Sequence, residues 1–555
     1  MRIYFMNPQM LARYIHTIRH LRFKQILFRL YYVCCKIQVK PMPIQKIRQW
    51  KQNWTSPAAF GSCFSAKGEI TFLGEAGNLE NLLIWNDPNR SKLWLYNLHY
   101  LDELNSIDAD MRCDVINNLI ERWTSENPPC NGNGWEPYPL SLRIVNLVKW
   151  YSRHSNSVKP AWLDSLNMQS AALSRQAEHH ILGNHLFANG KALVFVGTYL
   201  EGHYASKWLQ KGLKILDREI DEQFLKDGAH FELSPMYHAC LLWDMCDLIN
   251  LSNQSGLPEL LLRKQKWQTT IEHALNWLLA MLHPDGGISF FNDAAFGIAP
   301  HFSDVKKYAK YLDIHITNRR NDDFSMQWLK ESGYCVVNLG NDSKVIVDIA
   351  NIGPDYQPGH AHADTLSFEL SLRGQRFLVN SGISGYGKGE LRQHQRSTKA
   401  HNTVSINGVN SSDVWAGFRV ARRAYPKNIS ICDEPNRMRI RCAHDGYLRL
   451  PGKNIHRREW IFYKNNMLIC DQIAGQFDKA EARYYLHPDI HITNIQQDGL
   501  RCCCMDDHQV TMRFIGISNF IVESTSWYPT FGSEVLNHCL VATFSGNELL
   551  TQIEW

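Results

Sequence analysis

Four short stretches carry the side chains best suited to proton transfer or ligation. They are Gly183-Asn184-His185, which follows His179-His180; Phe231-Glu232-Leu233-Ser234-Pro235-Met236-Tyr237-His238; Gly359-His360-Ala361-His362-Ala363-Asp364; and Arg396-Ser397-Thr398-Lys399-Ala400-His401-Asn402. Imidazoles and phenols are the groups that move protons to and from carbon and oxygen. In His360-x-His362 both rings project from one side of an extended chain, where they can share a metal or one substrate. Each stretch taken singly also has an ordinary structural reading. A helical His is usually a satisfied polar residue, and a Tyr after Ser-Pro usually caps or packs. Several chemistries are excluded, because the chain has no G-x-S-x-G, no H-E-x-x-H and no G-x-x-x-x-G-K-[ST]. The cluster Gly382, Gly385, Gly387 and Gly389 lacks phosphate-loop spacing and reads as a turn.

Two kinds of element must position these residues. From about Trp94 to His283 the apolar period is near 3.6: Leu140, Ile144, Leu147 and Val148 share a face, as do Leu209, Leu213, Leu216 and Ile220, and Ile271, Leu275, Leu278 and Leu282. Breakers such as Asn127-Pro128-Pro129 and Asp227-Gly228 divide the region into seven or eight helices. No fixed repeat is visible, which argues against a solenoid. After the polar stretch Asn318–Asp323 the period becomes two. Leu366, Phe368, Leu370 and Leu372 alternate with Ser367, Glu369 and Ser371, and Arg373-Gly374 turns the chain into Phe377–Asn380. Further strands are expected at Val345–Ile349, Thr403–Ile406, Glu459–Tyr463 and Met467–Cys470. Helices followed by strands imply two domains, the second an antiparallel β-sandwich. The expected organisation is a basic segment 1–68, a helical domain 69–325 and a β domain 326–555.

Composition is that of a large globular protein: 555 residues, 44 % hydrophobic and 20 % charged. No apolar run approaches the roughly 20 residues of a membrane span. The net charge of +5 is unevenly placed, because residues 1–68 hold twelve Lys/Arg and no acid before Glu69. Within Met10–Leu30, Leu11, Tyr14, Ile15, Ile18, Leu21, Ile26, Leu27 and Leu30 recur at near-helical spacing among Arg13, Arg19, Arg22, Lys24 and Arg29. Two readings stand: a helix packed on the main domain, or a peripheral contact of residues 1–40 with an anionic membrane. Nucleic-acid motifs are absent. The 15 cysteines, with no C-x-x-C and no secretory h-region, read as reduced thiols in a cytoplasmic protein.

Taken together, the stretches resemble the heparinase II/III family of polysaccharide lyases. Weaker support comes from Trp135-Glu136-Pro137, Ser141–Asn146 and His283-Pro284-Asp285-Gly286. The resemblance implies an N-terminal (α/α) toroid, a C-terminal antiparallel β-sandwich, and an active site in the cleft between them. The implied reaction is β-elimination on an acidic, uronate-containing polysaccharide. A carbon acid α to a carboxylate ionises only when that carboxylate is neutralised, so the site must supply donors or cations there. By resemblance, Tyr237 is the acid/base that protonates the leaving oxygen and a candidate for the C5 base as well, Asn184 binds the uronate carboxylate, and His360 is the second base or a neutraliser, assisted or replaced by His185. Arg396, Tyr386, Glu232 and Trp135 are the substrate-binding candidates, with Glu232 orienting neighbours rather than acting as base.

The family resemblance also implies one structural zinc, with His362 and His401 matching two ligands. The third position is Asn380, a neutral and poorer ligand where an acid is expected. A lyase of external glycans needs an export signal, so its lack points to a role beside bacterial capsule or surface-polysaccharide metabolism. Two other classes remain open: a glycan-binding or assembly protein that keeps the fold, and a toroid glycoside hydrolase with paired carboxylates such as Glu232 and Asp293.

Overall fold

The computed structural model describes residues 7–35, 37–40, 42–43, 45–65, 68–81, 83–316, 323–503 and 508–555. Residues 318–322 of the polar stretch, and Cys504, lie outside them. The helices expected from the periodicity are present, and they form the (α/α) toroid that the resemblance implies. Its helix Gly183–Tyr199 is buried along nearly its whole length and packs against Pro137–Arg153, His203–Gln223 and Pro235–Ser255. The Pro235–Ser255 helix has clear local signals. Ser234 Oγ accepts from Tyr237 N at 3.2 Å, Pro235 occupies the first helical position, and Gly256 ends the helix at φ +67°.

The described residues of the basic N-terminal segment lie against the rest of the chain. The expected helix Met10–Leu30 is two helices, α1 (Pro8–Ile18) and α2 (Phe23–Cys34), and both pack on the body of the protein. Further on, Lys46–Ile47 pairs with Leu200–Glu201, and Trp54 is enclosed in the helical core. No helix among the described residues is long and apolar enough to cross a membrane.

Among the described residues the β half contains three large sheets and a short two-stranded one, 414–415 with 419–420. Strands 325–329, 334–340, 343–348, 368–372 and 375–378 form an antiparallel meander in chain order. An eight-stranded sheet inserts 548–554 between 466–474 and 509–515, and a four-stranded sheet runs 404–406, 480–485, 535–544, 519–527. Phe368, Leu370, Trp460, Ile469, Tyr484, Met512 and Ile553 share the enclosed core. In Phe368–Leu372 the polar residues are as buried as the apolar ones. The reason is domain docking: His283 of the helical half binds Glu369 Oε2 at 2.9 Å and Ser371 Oγ at 2.7 Å. Asp285 of the same turn accepts from Arg376 Nε at 2.7 Å. His283-Pro284-Asp285-Gly286 is therefore a clasp between the domains.

Candidate active site

Between the halves lies a cavity of about 1350 Å³ that meets Asn184, His185, Tyr237, His360 and Tyr386. Three left-handed, non-glycine backbones stand beside its key residues: Leu182 (φ 70°), Leu233 (φ 59°) and Asn292 (φ 57°). Such conformations persist only where surrounding structure holds them, and they cluster at working sites. Leu182 sets the start of the Gly183 helix, so the first turn carries Asn184 and His185 at the helix's positive end. Gln357 of the β half packs against Gly183, whose φ of +56° suits glycine.

Tyr237 and His360 come from different domains, and their rings meet with centroids 4.0 Å apart and planes tilted by 31°. The Tyr237 hydroxyl shares a 2.6 Å hydrogen bond with the Tyr386 hydroxyl. Burial holds both phenols well above the ordinary value, so both are protonated at neutral pH. His360 Nδ1 lies 2.9 Å from Asp293 Oδ2. An ionised carboxylate only accepts, so Nδ1 carries a proton, and in the neutral ring the lone pair is then on Nε2. Glu232 Oε2 is 3.6 Å from that Nε2, and both Glu232 oxygens are enclosed without a hydrogen bond. Burial raises the Glu232 carboxyl above its usual range.

Asp293 is the hub of the site. It accepts from Arg392 Nη2 at 2.8 Å, from His360, and from His362 Nε2 at 2.8 Å. Burial alone would raise this carboxyl, but Arg392 and the two imidazoles hold it well below the carboxylate range. Around it, Asp293 N donates to the His360 carbonyl at 3.0 Å and Asn292 Oδ1 accepts from His362 N at 3.0 Å. The loop after the toroid thus grips the His360–Asp364 segment by side chain and backbone. Arg392 escaped the sequence analysis, and Asp293 entered it only as a hydrolase carboxylate. The residue before Asp293, Asn292, is a type that tolerates φ > 0, which is the one local signal available.

On the opposite side, His185 Nδ1 bonds Glu178 Oε1 at 2.9 Å and its ring packs on Tyr138 at 4.4 Å. Burial pulls this imidazole down, yet Glu178 outweighs it and raises the pKa. Asn184 is buried, with its Oδ1 unpartnered. An anion in the cleft could be met only by the donors of this pair, the Asn184 Nδ2 amide and a ring N–H of His185.

Three sequence expectations need correction. Arg396 is fully enclosed: its Nε and Nη2 donate to the Ala361 carbonyl at 3.1 and 2.9 Å, and Nη1 to that of Ala416 at 2.9 Å. It positions the His360 loop instead of meeting a ligand, and burial lowers it to about 9. Trp135 belongs to the toroid core beside Trp123, with Nε1 donating to the Asn127 carbonyl at 3.3 Å. Asn380, expected as the third metal ligand, has its amide engaged within the protein. Its amide donates to the Phe290 carbonyl at 3.0 Å and accepts from Asn402 N at 3.3 Å.

The acid near the two histidines is Asp364: ligand atoms of His362, Asp364 and His401 all lie within 4.8 Å of one another. His362 commits Nε2–H to Asp293, and His401 commits Nδ1–H to the Ser397 carbonyl at 2.8 Å. Their remaining nitrogens face each other at 3.1 Å. Burial keeps both rings neutral, lowering His362 to about 4. Two lone pairs and a carboxylate converging on one point, with both tautomers fixed from behind, is a donor set that fits zinc.

Two family models match adjoining parts of the chain: heparinase II/III N-terminus over residues 113–320, and heparinase II/III-like, C-terminal, over 321–555. The heparin-sulfate lyase of Bacteroides stercoris is 23 % identical over 385 residues, which is 66 % of this chain and 55 % of that protein. The heparin-sulfate lyase of Pedobacter heparinus is 26 % identical over 299 residues, 50 % of this chain and 44 % of that one. The chain spans about half the length of the curated relatives it matches. In fold it is similar to the crystal structure of heparinase III, with TM-score 0.67 and 18 % identity over 87 % of this chain and 80 % of the other. It is also similar to heparan sulfate lyase HepC from Pedobacter heparinus, with TM-score 0.57 and 17 % identity over 88 % and 81 %.

Proposed function

The chain belongs to the heparinase II/III family, and from that premise we propose that it is a polysaccharide lyase that opens uronate linkages by β-elimination. The observation that carries this reading is the Tyr237–His360 pair, a protonated phenol beside an imidazole whose Nδ1–H is held by Asp293. His360 Nε2 takes the proton α to the uronate carboxylate. Asn184 and His185 neutralise that carboxylate as its charge spreads towards the enolate. Tyr237 gives its proton to the 4-linked oxygen as the C–O bond breaks, and Tyr386 holds the phenol in place. Acid and base stand side by side, which suits uronates whose α-proton and leaving oxygen share one face of the ring.

A hydrolase is disfavoured because Asp293 engages both oxygens with Arg392, His360 and His362, leaving none aimed at water or an anomeric carbon. The test is ultraviolet absorbance of the unsaturated uronate on a panel of acidic polysaccharides that includes bacterial capsules. Cleavage without that chromophore, or tight binding of a polymer that is never cut, overturns the lyase reading.

The polymer we propose is weakly charged. Most cations lining the cleft already have carboxylate partners: Lys149 with Asp247 at 2.6 Å, Lys191 with Asp244 and Asp247 at 2.5 Å, Lys92 with Glu136 at 2.8 Å, and Arg423 with Asp355 at 2.8 Å. Dense sulfation would have to displace these acids. We expect turnover of a non-sulfated uronate polymer to exceed that of heparin by about tenfold or more; the reverse preference in parallel absorbance assays contradicts the assignment.

We further propose that His362, Asp364 and His401 hold one zinc, which would cross-link the His360 loop to the segment before strand 404–406. Elemental analysis should find about one zinc per wild-type chain and almost none in Asp364→Asn or His401→Ala. Asn380→Ala should keep it, and a metal-free wild type purified without chelator would refute the site.

A further inference from the structure

The α1–α2 hairpin has two faces of different chemistry. Its inner face is a docking surface across the mouth of the cleft. Tyr14 meets Trp415 edge-on at 4.9 Å, Thr17 Oγ1 accepts from Trp415 Nε1 at 3.1 Å, and Arg13 pairs with Asp413 at 3.0 Å, which seats α1 on the β half. In α2, the Tyr32 hydroxyl donates to the Ala177 carbonyl at 2.6 Å and Phe28 lies 4.7 Å from His179, which seats it on the toroid. These contacts use one face of each helix and are complete in themselves.

The outer face is apolar where a soluble surface would be polar. Leu11, Ile15 and Ile18 in α1, and Phe23, Leu27 and Leu30 in α2, both follow i, i+4, i+7, so each set is one continuous stripe. All six are exposed, Ile15 at 57 %, Phe23 at 78 % and Leu30 at 62 %, and Val33 beside them at 83 %. Met111, Leu262 and Leu536, which are also strongly exposed, are far apart in the chain. Arg19, Lys24 and Arg29 stand on the same element with no ion-pair partner among the described residues, and residues 1–68 contain no acid.

We propose that the α1–α2 hairpin docks the protein onto an anionic lipid surface. The two stripes enter the boundary between headgroups and acyl chains, and Arg19 and Lys24 meet the headgroups, as amphipathic interfacial helices do. Because Ile18, Leu21, Ile26 and Leu30 also border the cavity, the cleft would open beside the membrane, where a surface-bound glycan is presented. The docking claim stands independently of the reaction the cleft performs.

The test is co-sedimentation of the full chain with vesicles of phosphatidylcholine alone or of phosphatidylcholine with phosphatidylglycerol, at low and high salt. We expect pelleting only with the anionic vesicles, weakened by salt. The double variant Ile15→Glu/Leu27→Glu touches neither the docking contacts nor the cleft lining, and it should partition about tenfold less with an unchanged melting temperature. If that variant proves unstable, Arg19→Gln/Lys24→Gln replaces it and should lose binding to the anionic vesicles alike. Wild-type protein that stays in the supernatant, or pellets equally with neutral vesicles, overturns the proposal. So does a dimer by light scattering that Ile15→Glu/Leu27→Glu converts to monomer, because the stripes would then cover a second copy of this chain.

Discussion

Replacing Tyr237 by Phe should abolish formation of the unsaturated uronate, with a loss in kcat of roughly 10²–10⁴-fold. The phenol sits in the first turn of its helix, held by the Ser234 cap, and burial keeps it protonated. Phe preserves the ring packed on His360 and removes only the proton donor and its bond to Tyr386. Polymer binding and thermal stability should therefore stay near wild type, and the loss should fall on kcat instead of KM. Retained turnover in Tyr237→Phe, read from absorbance progress curves, would remove Tyr237 from the chemistry.

The second large effect is expected at Asp293. Changing it to Ala leaves Arg392 buried without its counter-charge and releases both His360 and His362, at a cost of about 3–5 kcal/mol. The melting temperature should fall by several degrees, and activity should be lost because His360 no longer has a partner fixing its tautomer. The pH dependence has a definite sign. The Asp293 carboxyl is depressed when folded and near 3.9 when unfolded, so its stabilisation is complete above about pH 4 and is lost as pH falls through the folded value. Denaturation midpoints measured from pH 7 downward should converge between wild type and Asp293→Ala. Equal midpoints at pH 7 would contradict the role assigned to Asp293.

Much of the fold is legible in local pattern. The 3.6-residue period over the toroid and the switch to period two near Ser325 follow from how side chains leave a helix or a strand. The strand pair at 368–372 and 375–378, and the helix that starts at Pro235, are written in turn and cap residues within a few positions. The same locality marked Asn184, Tyr237 and His360, because motifs of a few residues keep their order in the chain. It could not show what burial and docking decide. Asp293 reaches His360 across 67 residues of sequence and Arg392 across 99, and no periodicity records that meeting. Arg396 has the chemistry of an anion contact, yet its guanidinium is spent on the carbonyls of the loop that it braces. Asn380 occupies the chain position expected of a metal ligand, but the carboxylate that converges on His362 and His401 is Asp364. Charge and periodicity alone could not tell which face of the N-terminal helices meets the protein. Residue types and spacing determined what chemistry was on offer; the docking of two domains decided which side chains face the cleft, because a side chain's role depends on the partners that neutralise or orient it, and those come from distant parts of the chain.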